Sequence, residues 1–480
     1  MRRADHPGSD LSSEPEPNVA RQGSNSSAVR RFNERRLLTW LRRLGEASKA
    51  DLARHLNLTQ NTVGQIVLGL AAQGLVSSRG RRMGQRGQPA TLLRLEPGGA
   101  YSIGIKLGRR SVDALLVDLT GAVLKSRRYD CLFPEPAQAL ELAMRGISEI
   151  RRSVPKGRRD RLVGVGLALP FNIGTWRSAE LDRGLQDGAD AGADAGHSQA
   201  GADAGHSQAG ADAGHSQAGA DAGHSQAGAD AGHSQAGADA GHSQAGADAP
   251  AWLGYDLAAH LQPLLDLPLL VESEGAAVAI AELFHGHGRQ LDDFACIYIN
   301  SSIGGGAVLD GAYRRGVTGN AGDIGLIPVQ HSSLPVNRPA GSRSTTLQDR
   351  ASGSALIRHL QANGITITKA AQLHAVLRDH PGLVDAWLQD CADALVMPML
   401  SMAMVLDVQA IILDGNLPRA IIAALLGRLG PLLQAATPRS RKAPGLLHGS
   451  SGDHAAALGA ALLPLHDRHG QTGIASVAAA

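Results

Sequence analysis

The sequence predicts a mixed α/β protein that opens with a small basic module of helices and a hairpin. Three observations predict it. Apolar residues recur at helical spacing in three short segments before residue 75, and a hairpin pattern follows them. From Ala100 onward, apolar strands alternate with amphipathic helices, and the first two strands are joined by a tight Gly-Arg-Arg turn. Within that body a nine-residue unit is repeated six times without a change.

The N-terminal module spans residues 29–96. "NERRLLTWLRRLG" sets Leu37, Leu38, Leu41 and Leu44 on one helix face. "SKADLARHLNL" has Ser48 as N-cap ahead of Leu52, Leu56 and Leu58, and "TQNTVGQIVLGLAAQGL" has Thr59 as cap and Val63, Ile66, Val67 and Leu70 as its stripe. Gly74 closes the third helix. "LVSSRGRRMGQRGQPATLLRLE" then reads as two strands around a glycine-rich basic tip. Three helices and a basic hairpin in this order predict a winged helix-turn-helix.

The body is expected in two parts, 99–186 and 251–466. "YSIGIKL", "DALLVDL" and "AVLKSRRY" read as a meander, "AQALELAMRGISEIRRSV" as a helix, and "LVGVGLALP" and "LPLLVESE" as buried strands. The second of these runs into the helix "GAAVAIAELFHG". "DFACIYINSSIGGGAVLDGAYR" reads as a hairpin, "VQAIILDGN" as a strand and "GDHAAALGAALLPL" as a helix. The early strand-turn-strand makes the sheet mixed rather than purely parallel. Residues 1–28 and 467–480 are polar or small and are expected as flexible tails. Residues 187–250 carry the tandem "AGADAGHSQ" unit, whose Ala, Gly, Ser, Asp and Gln cannot bury a core, so a disordered insertion is expected. Its evenly spaced histidines, His197, His206, His215, His224, His233 and His242, supply no fixed metal geometry.

Composition narrows the function classes. With 43% hydrophobic and 19% charged residues, 480 residues suffice for two or three domains. The first residues hold no apolar signal-peptide core and no long uninterrupted apolar run suggests a membrane span, so a cytoplasmic location without a membrane partner is expected. Cys131, Cys296 and Cys391 lack the spacing of a disulfide framework or a zinc module. From Arg30 to Arg94 thirteen Lys and Arg face three acids, although the whole chain has a net charge of only +2. A basic module on a mildly acidic body points to nucleic acid at one end and a different partner at the other.

In a helix-turn-helix the second helix of the pair enters the major groove by its N-terminal end, which puts Gln60, Asn61, Thr62 and Gln65 nearest the base edges. Gln and Asn pair bidentately with adenine. Ser48 and Lys49, at the start of the preceding helix, suit phosphate contact. The wing offers Arg79, Arg81, Arg82 and Arg86 to phosphates or to a narrow minor groove. Polar residues at such positions are also common as merely solvated side chains.

"LARHLNLTQNTVGQIVLGLAAQGLV" followed by "GQRGQP" resembles the N-terminal domain of ROK family regulators (repressors, open reading frames and kinases). "YSIGIKLGRRSVDALLVDLTGAVL", "GVGLALP", "SSIGGGAVLDGAYRRGVTGNAGDIGLIPV" and "LGAALL" resemble segments of the family's sugar-kinase-like body. The likeness is strongest over 303–329 and weakest across the repeat and 330–390. It implies a two-lobed actin-like ATPase fold, paired as a homodimer or a higher homo-oligomer.

The resemblance also implies where kinase chemistry would sit, and the sequence departs from it there. The family's Asp-x-Gly-Gly-Thr loop organises Mg²⁺ and phosphate; matched here, the acid is Lys106, one glycine remains as Gly108, and Arg109 and Arg110 replace the rest. The Glu-Asn-Asp stretch that holds the family's base reads Glu272-Ser273-Glu274. Gly-Glu-Ile-Gly-His reads "GDIGL", with Asp323 for Glu and Leu326 for the His that serves as a zinc ligand in many members. His331 alone makes no tetrahedral metal site. No catalytic residue, metal or cofactor is therefore expected. Asn172, Ser273, Glu274, Asn320 and Asp323 remain as a polar set able to bind a sugar or sugar derivative, or to serve only as caps and turns. The expectation is a DNA-binding transcriptional regulator, a repressor, that recognises an inverted-repeat operator and responds to a carbohydrate-like effector. An active sugar kinase and a ligand-blind DNA-binding protein stay open as alternatives.

Overall fold

The structure, a computed structural model, describes residues 26–82, 90–131, 133–170, 173, 251–337, 344–367 and 372–470. The expected insertion at 187–250, most of the N-terminal tail and the tail beyond Gly470 lie outside these residues.

The N-terminal module begins with α1 (Ser26–Leu44), β1 (Glu46–Ser48), α2 (Lys49–Leu56) and α3 (Gln60–Ala72), and ends in a hairpin of β2 (Val76–Arg82) and β3 (Ala90–Leu95). Leu37, Leu38 and Leu41 are buried on α1, whereas Leu44, expected on the same face, is exposed at the helix end. Ser48 caps α2 in a reciprocal box: its hydroxyl accepts from Asp51 N at 3.1 Å, and the Asp51 carboxylate accepts from Ser48 N at 3.1 Å. Thr59 Oγ1 accepts from Thr62 N at 3.2 Å and starts α3. Gly74 makes the turn into the hairpin at φ +70°. The sequence did not foretell β1, which is only three residues long and joins β3, giving the antiparallel order β1-β3-β2. With it the module is a winged helix-turn-helix.

The first body sheet contains β4 (Tyr101–Leu107), β5 (Ser111–Asp118) and β6 (Val123–Asp130). After α4 (Pro136–Arg151) come β7 (Leu162–Leu169) and β8 (Leu269–Ser273), in the order β6-β5-β4-β7-β8. The pairs of β4, β5 and β6 are antiparallel; those of β4, β7 and β8 are parallel. Helix α5 (Glu274–His285) leads to the second sheet, built from β9 (Phe294–Ile299), β10 (Ile303–Leu309) and β11 (Ala312–Arg314). Then follow α6 (Pro381–Leu406), β12 (Ala410–Gly415), α7 (Arg419–Ala436), β13 (Gly445–His448) and α8 (Ala455–His469). The order β11-β10-β9-β12-β13 repeats the mixed pattern of the first sheet, antiparallel on one side of β9 and parallel on the other.

Small residues let α8 pass close to its neighbours. A Cβ on Gly459 would lie 1.7 Å from Ala277 O, and one on Gly166 would lie 1.9 Å from Ala460 O. "LGAALL" is therefore a packing motif: larger side chains there would separate α8 from α5 and β7. Helices α6 and α7 are long and apolar enough to cross a membrane by length and composition. In this fold Trp387, Cys391, Leu395 and Met399 of α6 share one buried cluster with Ile421, Leu425 and Leu429 of α7 and with β9 and β12.

The winged helix and the body share a hydrophobic core, since Leu37, Leu41 and Val76 belong to one cluster with Leu115, Leu119, Leu283 and Leu462. Arginines clamp the seam. Arg43 Nη2 donates to Gly288 O at 3.0 Å and Leu291 O at 3.1 Å, and Arg289 Nη2 donates back to Arg43 O at 3.2 Å. Arg158 Nη1 donates to Gly98 O at 3.1 Å.

Candidate functional site

The expected base-reading residues share one exposed patch. Gln60, Asn61, Thr62 and Gln65 are all solvent-exposed in the first turns of α3, whose other face buries Val63, Ile66 and Val67. Lys49 is exposed at the start of α2. Ser48 is buried and its hydroxyl is engaged with Asp51, so it sets the helix end instead of presenting a free donor. Arg79 is exposed on β2, with Nη1 3.6 Å from Glu46 Oε2. Arg86 and the side chains of Arg81 and Arg82 lie outside the described residues.

The second candidate region is the cleft at the turn between β4 and β5. Lys106 is only 7% exposed, and its ammonium lies 3.6 Å from Asp113 Oδ2 and 3.6 Å from Glu274 Oε1. Strand pairing makes Lys106 and Asp113 direct cross-strand partners, while Glu274 arrives from the first turn of α5. Asn300 Nδ2 donates weakly to both Glu274 oxygens, at 3.4 and 3.3 Å. Burial pushes the Glu274 carboxyl above its usual range, against the pull of Lys106, Asn300 and Arg109. Arg109 Nη1 donates to Ser354 Oγ at 3.4 Å, and its guanidinium lies 5.7 Å from the centre of the Phe133 ring.

This arrangement does not fit the Mg²⁺ of a phosphoryl-transfer site. A divalent cation needs oxygen ligands with free lone pairs, and here a fixed ammonium already occupies the space between the two acids and would repel it. Among the described residues no cluster of three or more His, Cys, Asp or Glu could hold a metal.

The expected ligand set is partly assembled. Ser273 and Glu274 line a cleft of about 10 Å³ together with Gly304, Gly305 and Gly322, which is room for about one water molecule. Ser273 Oγ accepts from Ala276 N at 3.2 Å and caps α5. Asp323 follows Gly322; its Oδ1 is buried with no hydrogen-bond partner among the described residues, and burial raises the carboxyl to about 6. Asn320 is exposed, and its carbonyl accepts from Asp323 N at 3.2 Å. Asn172 lies outside the described residues.

Sequence reasoning missed the partners of these groups. Asp113 was readable, because a two-residue turn at Arg109 and Arg110 puts Lys106 opposite Asp113. The set around Glu272 was not: Tyr313 Oη donates to Glu272 Oε2 at 3.2 Å, and Arg315 Nε approaches Oε1 at 2.9 Å without hydrogen-bond alignment. Burial still raises the Glu272 carboxyl to about 7.

Residues 243–467 match the model of a family described as ROK family. The xylose repressor of Bacillus spizizenii is 20% identical over 439 residues, covering 91% of this chain and 95% of that protein. Among solved structures, a ROK family transcriptional regulator, a homolog of E. coli MLC protein, superposes with a TM-score of 0.58 at 18% identity, covering 92% of this chain and 98% of that one. A ROK family glucokinase from Streptomyces griseus, in complex with glucose and AMPPNP, superposes with a TM-score of 0.51 at 18% identity over 76% of this chain and 99% of that one. At such identities the structural likeness establishes the fold alone. Repressors and sugar kinases both stand among the relatives.

Proposed function

We propose that this chain, which carries a ROK family domain, is a DNA-binding transcriptional regulator, a repressor, whose kinase-like body senses a carbohydrate-like effector and transfers no phosphoryl group. The observation that carries the reading is Lys106, whose ammonium lies between Asp113 and Glu274 where the family's loop has a metal-organising acid. Phosphoryl transfer depends on positioning and on metal charge, and this cleft supplies a competing cation instead. The body then keeps its two sheets as a scaffold that presents α3.

The DNA reading rests on the exposed Gln60, Asn61, Thr62 and Gln65 at the N-terminus of α3 and on the basic wing. A two-fold dimer presenting two such helices would read an inverted repeat with half-sites one or two helical turns apart. An effector binding at Ser273, Glu274, Asn320 and Asp323 would change DNA affinity by the difference in its affinity for the two arrangements of the modules. Mobility-shift titrations against the DNA upstream of its own gene, at several salt concentrations, test this. Salt-dependent binding, together with no ATP turnover above background on a sugar panel, is the expected result. Absence of DNA binding at low salt, or sugar-dependent ATP turnover, overturns it.

The small cleft favours a second reading, a ligand-blind DNA-binding protein whose body only builds the dimer. Thermal-shift screening with sugars, sugar phosphates and polyols separates the two, because an effector must raise the melting temperature by mass action.

A further inference from the structure

Helix α1 meets the body along a pocket of about 390 Å³, within the size range of small-molecule sites. Thr39 and Arg42 line it from the helix; Phe284, His466, Asp293 and Asp310 line it from the body. Three of these side chains bring buried polar atoms that meet no hydrogen-bond partner among the described residues: Thr39 Oγ1, Nε and Nη1 of Arg42, and both ring nitrogens of His466. Native proteins leave few such atoms unpaired, and here they gather around one cavity.

Arg42 is the centre of the cluster. It is 8% exposed and forms no ion pair among the described residues. Its guanidinium lies 4.5 Å from the centre of the Phe284 ring, which meets the face of the cation but leaves its in-plane N–H groups unsatisfied. Burial lowers Arg42 only to about 10, so the cation persists at neutral pH, whereas His466, lowered to about 3, stays neutral. The nearby acids have other work. Asp292 pairs with Arg43, Asp293 Oδ1 accepts from Asp310 N at 2.7 Å, and Asp310 Oδ2 pairs with Arg314 at 3.1 Å.

We propose that this pocket binds a small organic carboxylate that also carries hydroxyl or ammonium groups. The carboxylate lies against Arg42, Thr39 and His466, and the donor groups face Asp293 and Asp310. Arg42 is a buried cation without an acid partner among the described residues, Arg36, which also lines the pocket, donates to Leu56 O at 3.2 Å, and the Arg fork is shaped for a carboxylate. A phosphate dianion would bring a second charge into a pocket whose other wall is acidic. Since one wall belongs to the winged helix and the other to the body, an occupied pocket favours the seam seen here. The effect on DNA rests on the regulator reading; the binding does not.

Thermal-shift and calorimetric titrations of the full chain with gluconate, lactate and glutamate test the site. Glucose 6-phosphate and inorganic phosphate form the phosphate arm, and acetate is the control for nonspecific anion binding. At least one hydroxy- or aminocarboxylate is expected to bind saturably, with a tenfold or greater loss in Arg42→Met and several-fold loss in Thr39→Val. Arg42→Met without ligand should melt no lower than the parent, because the apolar stem is kept and an unpaired buried charge is removed. If no carboxylate shifts the melting temperature, if acetate matches the others, if binding survives both substitutions, or if only the phosphates bind, the proposal fails. Mobility shifts run in parallel separate the failures: loss of DNA binding alone overturns the regulator and leaves the pocket standing.

Discussion

The cleft beside Lys106 and the pocket beside Arg42 each lie where two parts of the chain meet, and each buries a cation. In the cleft, Lys106 has two acids at 3.6 Å, and Arg315 reaches Glu272 at 2.9 Å. In the pocket, Arg42 has an aromatic face and forms no ion pair among the described residues, although Asp293 and Asp310 line the same space. The cleft's cation is thus matched by acids from its own walls. The pocket has unmet charge and donors, which is the condition a ligand can satisfy. Likeness to a kinase fold directs attention to the first place; the balance of buried charge directs it to the second.

The largest test of this contrast is Lys106→Met. It leaves Asp113 and Glu274 buried without the cation they share, Asp113 keeping only the half-exposed Arg128 cation at 3.7 Å, and breaking a buried pair in this way costs about 3–5 kcal/mol. Chemical denaturation at pH 7 should show that loss. The deficit should shrink on acidification, since a carboxyl raised by burial takes up its proton early and the repulsion then disappears. Arg42→Met should show no comparable loss. Equal costs in the two variants would erase the distinction between a satisfied and an unsatisfied cation.

A smaller effect comes from pH. His466 titrates near 3 in the fold against 6.5 when exposed, so below pH 6.5 the unfolded chain binds a proton that the folded one does not. Stability from this group is complete above pH 6.5 and declines as pH falls toward 3, by about 1.4 kcal/mol per unit, or roughly 2 kcal/mol at pH 5. Glu272, at about 7 against 4.5, has the opposite sign: its contribution is full below pH 4.5 and is lost as pH rises to 7. Hydrogen exchange should therefore show the seam of α1 and α8 loosening at pH 5 while the strands around Glu272 tighten. His466→Leu should weaken the first response, leaving the share of His469, which burial lowers to about 4 on the same helix, and spare the second.

How much of this was legible in the sequence depended on distance along the chain. Ser48 and Thr59 announced their helices because a cap acts on residues two or three positions away. Body strands such as Tyr101–Leu107 and Phe294–Ile299 were legible as short apolar runs ended by turns. Strand β1 was not, being too short to show a period. The pair of Lys106 and Asp113 follows from the turn that joins them, but Glu274 meets them only after three further strands, β6, β7 and β8, and the repeat have intervened. Arg42 gave no signal at all: in "RRLG" it reads as a solvated helix end, and only the packing of α1 on Phe284 and His466 buries it.

The smallest predicted effect concerns the surface that this seam would control. Arg79 is exposed and its 3.6 Å approach to Glu46 is a surface pair of little strength, so the side chain is free to turn toward a DNA phosphate. Arg79→Ala should reduce the slope of log affinity against log salt by about one, and weaken all sequences alike. Gln60→Ala, at the tip of α3, should leave that slope unchanged and cost about 1–3 kcal/mol only on the preferred operator. If the two substitutions behave alike, the wing and the helix are not divided between backbone and base contacts. A small-molecule signal passed through α1 would then have no separate reading head to move.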